Sequence, residues 1–270
     1  MDHAQLDLFA DRSPAPSPTN FAAARRIVAQ DLSDSALIAA ISDASLADAQ
    51  ALAAEAGRRG LGDAAPALAA LCNRFVGFGV DRRVPEQIAA LDALCVIGGP
   101  QASRSLSRVI ARGIVQGPNL AAAVIAAARL GVKLNSDVAL PLLRHAEPSV
   151  RAAACACVRA GGEIVATLIG LLADLNGEVA TAAACALGRM GRIEALDRLK
   201  RRIVGTPSPS VIDALAGVAD EEAIVLLARL GRSRPELTGA VLLALDEIDH
   251  AKAAVAASRL RSWLTASHRH

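Results

Sequence analysis

From Phe21 onward the chain runs as amphipathic segments of about ten to fourteen residues, each ended by Gly, Pro, Asn or Ser. About fourteen such segments can be counted. None alternates apolar and polar residues with the period of two that a half-buried strand requires. The pattern predicts short antiparallel helices. Their boundaries carry matching chemistry. Ser45, with Asp48 three residues later, has the form of a capping box, and Gly60 follows Arg58 and Arg59 as a left-handed helix stop would. Gly62-Asp63 opens the next helix, Pro85 stands at a first helical position, and Gly98-Gly99-Pro100 closes another. Asn119 and Asn135-Ser136 are candidate caps for later helices.

The segments also repeat. Val150 to Val158, ending at Gly162, matches Val179 to Leu187, ending at Gly191, at an offset of 29 residues. The same step carries Leu187 to Ala216, just before Gly217, and then to Leu245 within Val241-Leu242-Leu243-Ala244-Leu245. Upstream, Ala93-Leu94-Cys95-Val96-Ile97-Gly98 has the same flavour at a different spacing. A lone hairpin cannot bury its apolar face, so repeats of this kind stack into a quasi-one-dimensional array.

Glu147-Pro148-Ser149-Val150-Arg151 with the Ala-rich helix behind it, and residues 178–191 followed by Ile193-Glu194-Ala195-Leu196, resemble HEAT repeats of the short variety also found in phycobilisome-lyase-like proteins. The resemblance covers most of residues 34–265. It implies an all-α solenoid of helical hairpins with a concave surface built largely from the second helices. Two departures stand out. Ala180 replaces the Arg expected in the second repeat, and residues 208–217 are abbreviated, so an irregularity is expected there.

Composition sharpens the helical reading. Hydrophobic residues make up 53% of the chain and aromatics only 2%, with no Tyr and one Trp, so the core must be built of Ala, Leu, Val and Ile. Small side chains let helices approach closely, and an all-β fold is disfavoured. The 29 basic and 27 acidic residues nearly balance, so any basic surface must be local. The five cysteines are odd in number and lack framework spacing, and no secretory signal opens the chain, which together point to a reducing cytoplasm. Apolar stretches are all interrupted well short of the ~20 residues that a spanning helix needs. No membrane association is expected.

Candidate chemistry is sparse. Cys155 and Cys157 project about 200° apart on a helix and cannot share a tetrahedral metal. His145 and His250 are isolated, and His268 and His270 lie at the end of the chain. There is no Gly-rich phosphate loop, nucleophile elbow or zinc-binding helix motif, so no catalytic residue, metal or cofactor is expected. The acidic clusters Asp220-Glu221-Glu222 and Asp246-Glu247 suit helix N-termini and turns. Arg104, Arg108 and Arg112 recur every four residues as a one-sided stripe, and residues 189–202 hold six basic against two acidic side chains. Arg104, Arg108, Arg112, Arg198, Arg201 and Arg202 are therefore candidate phosphate contacts for weak DNA binding, against the alternative of an ordinary solvated face. A base-excision enzyme would need aromatic platforms that this chain almost lacks.

The strongest functional signal lies ahead of the array. Gln5-Leu6-Asp7-Leu8-Phe9 resembles the pentapeptide by which bacterial replication and repair proteins bind the sliding clamp of the DNA polymerase. The resemblance implies that the Gln5 amide bonds at a pocket rim, with Leu6 at another of the motif's positions, while Leu8 and Phe9 enter an apolar cleft. Residues 10–20 follow, with Pro14, Pro16 and Pro18 reading as an extended spacer of roughly 30 Å. The expected organisation is a tethering tail, residues 1–20, and a recognition body, residues 21–270. The expected function is a non-catalytic adaptor serving DNA replication or repair. The alternatives are a general protein-interaction solenoid, a DNA-binding or glycosylase-like solenoid, and a chromophore lyase.

Overall fold

The computed structural model describes residues 28–267. Gln5, Leu6, Leu8, Phe9, the proline spacer, His268 and His270 lie outside the described residues. Within them the chain forms fifteen α-helices, one more than the sequence pattern suggests, with four short 3-10 segments and no strand.

The helices fall into two rows. The first helices of the hairpins are α1 (Asp34–Ser42), α3 (Ala65–Arg74), α5 (Gly99–Ala111), α7 (Ser136–Leu143), α9 (Gly162–Leu171), α11 (Leu196–Gly205) and α13 (Glu221–Ser233), and α15 (Ala251–Ser267) ends the row. The second helices are α2 (Leu46–Arg58), α4 (Pro85–Ile97), α6 (Gly117–Arg129), α8 (Pro148–Ala156), α10 (Gly177–Arg189), α12 (Pro209–Val218) and α14 (Thr238–Glu247). Each second helix packs on the next without a break from α2 to α14. The first row is looser, for α5 makes little or no contact with α7, or α9 with α11. An array that is tight along one row and open along the other bends towards the tight row. One apolar core runs the length of the body, from Ala29 to Leu260. The fold is an all-α solenoid of HEAT-like hairpins.

The tight row follows from residue size. On α10, Ala183, Ala184, Ala186 and Gly188 are buried, and on α12 so are Ala214 and Ala216. A Cβ placed on Gly188 would lie 2.5 Å from the Ala214 carbonyl oxygen, and one on Gly217 would lie 2.5 Å from the Gly188 carbonyl. Backbone therefore meets backbone at this crossing, as only glycine permits. The 29-residue offset maps onto α8, α10, α12 and α14, four consecutive second helices. The abbreviated repeat leaves α12 with 10 residues against 13 in α10, yet α12 still packs on both α10 and α14.

Most boundary signals act as expected. The Ser45 hydroxyl accepts the Asp48 backbone N–H at 3.3 Å and donates to its carboxylate at 2.7 Å. Gly60 has φ +65°, and the Leu61 N–H reaches the Ala56 carbonyl at 3.1 Å, closing α2. Pro85 begins α4. Asp220 caps α13 by accepting the Glu222 N–H at 2.9 Å. Three readings need correction. Asn135 precedes α7, but its side chain makes no cap bond. Asn119 lies inside α6, fully buried, and ties α6 to α4. Asp246 and Glu247 end α14 rather than starting a helix. Carboxylates are unfavourable at a helix C-terminus, and there Asp246 is paired with Arg261 on α15.

Candidate functional site

Several arginines are structural. Arg151 grips Asp174 with a two-pronged contact, Nε at 2.9 Å and Nη2 at 3.0 Å, and donates through Nη1 to the carbonyls of His145 and Ala146. This links the turn before α8 to the turn before α10, and the guanidinium holds the Asp174 carboxyl below its ordinary range. At the other end of the body, hydrogen bonds from Arg58 and Arg59 bring the Glu55 carboxyl down from an ordinary 4.5 to about 2. Arg59 also reaches the carbonyls of Ala29, Gln30 and Leu32, anchoring the start of the body to α2.

Three buried cysteines and the two described histidines are structural too. Burial pushes the thiols of Cys72 and Cys155 up to about 12 and that of Cys157 to about 11, so none is a ready thiolate. His145 and His250 each accept a backbone N–H two residues ahead, at 3.1 Å, and so serve as turn caps. Among the described residues no cluster of three or more His, Cys, Asp or Glu is placed to hold a metal ion.

The two sequence-predicted basic groups fall on different first-row helices. Arg104 and Arg108 stand exposed on α5, with Arg112 at its C-cap, and none pairs with a carboxylate among the described residues. They form an open stripe rather than a pocket. Arg198, Arg201 and Arg202, by contrast, converge. They line a groove of about 430 Å³ with Asn176, Gly177, Glu178 and Thr181, where α11 meets the start of α10. Arg198 donates to the Gly177 carbonyl at 3.1 Å, as does the Thr181 hydroxyl at 2.7 Å. The other cations of residues 189–202 are engaged: Arg189 with Asp213, Arg192 with Glu194, and Lys200 with Glu222. Arg201 and Arg202 are exposed, without a carboxylate partner among the described residues. Their forked donors suit a phosphate or carboxylate.

Two further surfaces escaped the sequence reading. Residues 75–84 form the long connection between α3 and α4, and there Phe75 and Phe78 meet edge to face at 6.4 Å. With Leu46, Arg82 and Arg83 they line a groove of about 490 Å³. The available signal was the break in helical periodicity, which holds two of the four phenylalanines of the chain. The second surface is an apolar trough of about 550 Å³ between α13 and α15, edged by Arg229, Arg232, Lys252 and Arg259. No single segment carries that pattern, because the two walls come from helices some thirty residues apart.

None of these surfaces pairs a nucleophile with a base. Among the described residues, no helix is long and apolar enough to cross a membrane. Compared with known proteins, the chain matches no curated protein. Residues 136–217, which span α7 through α12 to within one residue of its end, match the family model for HEAT repeats, a class of generally non-catalytic scaffolds for protein interaction.

Proposed function

We propose that this protein is a non-catalytic adaptor in DNA replication or repair, tethered to the polymerase sliding clamp through Gln5, Leu6, Leu8 and Phe9. The observation that carries the reading is the pentapeptide itself, which has the clamp-binding residues at all four defining positions and is followed by a proline-rich spacer. Leu6, Leu8 and Phe9 stand together in a segment with too little apolar surface to fold alone, so they need a partner surface. The HEAT-like body supports the reading in a general way, since stacked hairpins present extended surfaces to other macromolecules. A groove that gathers three arginines supports direct contact with DNA phosphates beside the tether.

Such short peptides bind modestly, in the micromolar range or about −8 kcal/mol. Titration calorimetry with purified bacterial clamp tests the tether. Wild type and Asp7→Ala should bind alike, and the Leu8→Ala/Phe9→Ala double variant should give no measurable heat. Equal binding by the double variant would remove the tether and leave only the scaffold.

A further inference from the structure

The trough between α13 and α15 has a composition that calls for an acidic, apolar-anchored ligand. Its floor is formed by Ile224, Val225, Ala228, Val255 and Ala256, with Val225 54% and Val255 51% exposed. Four cations, Arg229, Arg232, Lys252 and Arg259, stand around that floor, and no carboxylate lines it. Lys252 is paired with Glu221, while the three arginines have no carboxylate partner among the described residues. The exposed guanidiniums attract an acidic ligand and repel a basic one.

Within this chain, residues 2–11 have the complementary chemistry. They hold Asp2, Asp7 and Asp11, no Lys or Arg, and the apolar anchors Leu6, Leu8 and Phe9. The two walls run side by side for about two helical turns, or ~12 Å, which is the span of four extended residues such as 6–9. We propose that the α13–α15 trough binds residues 2–11 of a second copy of this chain.

Reach separates a second copy from the same one. From α2 to α14 the second row advances by six helix spacings, roughly 50–60 Å at ordinary packing distances. The seventeen-residue connection from Asp11 to residue 28 covers at most about 56–61 Å when fully extended. Occupancy within one molecule would demand a taut connection at its limit, whereas a second molecule meets no such constraint. The contact is head to tail, so it is heterologous and links molecules into open chains. It engages the same Leu6, Leu8 and Phe9 as the proposed clamp tether. The two partners therefore compete, although the trough proposal does not rest on the clamp reading.

Analytical ultracentrifugation of the full chain, from about 1 μM to a few hundred μM, tests this. The average mass should rise with concentration, and added salt should oppose the rise. Arg229→Glu/Arg232→Glu/Arg259→Glu removes the rim at exposed positions, and Leu8→Ala/Phe9→Ala removes the anchors. Each variant alone should stay monomeric, while an equimolar mixture should recover a one-to-one dimer from the intact tail of the first and the intact trough of the second. A chain that is monomeric throughout, association that persists in the rim variant, or a mixture that stays monomeric would each overturn the proposal. Clamp titration of the rim variant, whose tail is unchanged, reports separately on the tether.

Discussion

The seams between α10 and α12 and between α4 and α6 join equivalent pairs of second helices by different chemistry. Between α10 and α12 the helices close until the backbone at Gly188 touches Ala214 and Gly217. Between α4 and α6 the join runs through amide side chains. Asn119, fully buried on α6, donates to the Gln87 side-chain oxygen at 2.8 Å and accepts the Val84 N–H at 3.3 Å. Gln87 in turn donates to the carbonyls of Cys72 at 3.0 Å and Phe75 at 3.3 Å, fixing the base of the 75–84 connection. A small-residue seam imposes the Ala-Gly text that recurs every 29 residues. An amide seam imposes a different text on the same architecture. Hairpin stacking thus continues along the body under more than one sequence signature, and a close Gly57–Ala93 approach recurs at the α2–α4 seam.

Substitutions at the two seams should fail in different ways. Gly188→Val forces a side chain into backbone already in contact, and it should cost about 3 kcal/mol. Urea unfolding measures this, and a loss below about 1 kcal/mol would show that the crossing can widen at little cost. Asn119→Ala empties the space of a fully buried side chain and strands the Val84 N–H and the Gln87 side-chain oxygen. A loss of about 2 kcal/mol is expected, with faster proteolysis within residues 75–84. Equal protection of that connection in wild type and variant would deny the amide seam its role.

Arginine staples supply a smaller contribution. Arg151→Ala should cost about 1.5 kcal/mol, because the pair with Asp174 is largely shielded, 16% and 8% exposed, and two backbone carbonyls lose a donor with it. Ala180, at the expected Arg position of the next repeat, is fully buried, so an Arg placed there should destabilise rather than supply a second staple. The pH dependence is smaller again. Glu55 has a folded pKa of about 2 against an ordinary 4.5, so its contribution is present above pH 4.5 and fades as pH falls towards 2. Glu55→Gln should flatten the acid limb of stability within that window, as read from unfolding curves collected through it.

Much of the architecture was legible because it is written locally. Ser45, Gly60, Pro85 and the Ala-rich text of residues 150–158 and 179–187 act within one helix or across one repeat. The misreadings came from long-range chemistry. Asn119 looks like a cap until α4 brings Gln87 beside it, and Asp246 looks like a helix start until α15 supplies Arg261. The convergence of Arg198, Arg201 and Arg202 was legible as a charge cluster, whereas the trough of α13 and α15 was not, since its walls meet only after the chain has turned twice. The open stripe of Arg104, Arg108 and Arg112 remains a row of exposed guanidiniums without a pocket.

Under the proposed function, residues 5–9 and the groove of Arg198, Arg201 and Arg202 act together at the sliding clamp. A comparison of affinity for the free clamp with affinity for the clamp loaded on DNA separates one contact from two. If both contacts operate, the loaded clamp should bind at least about tenfold more tightly, because the second contact becomes intramolecular. Arg198→Glu/Arg201→Glu/Arg202→Glu should erase that gain while leaving free-clamp affinity unchanged. Equal affinity of the wild type for free and loaded clamp, or a gain that survives the triple charge reversal, would contradict the account.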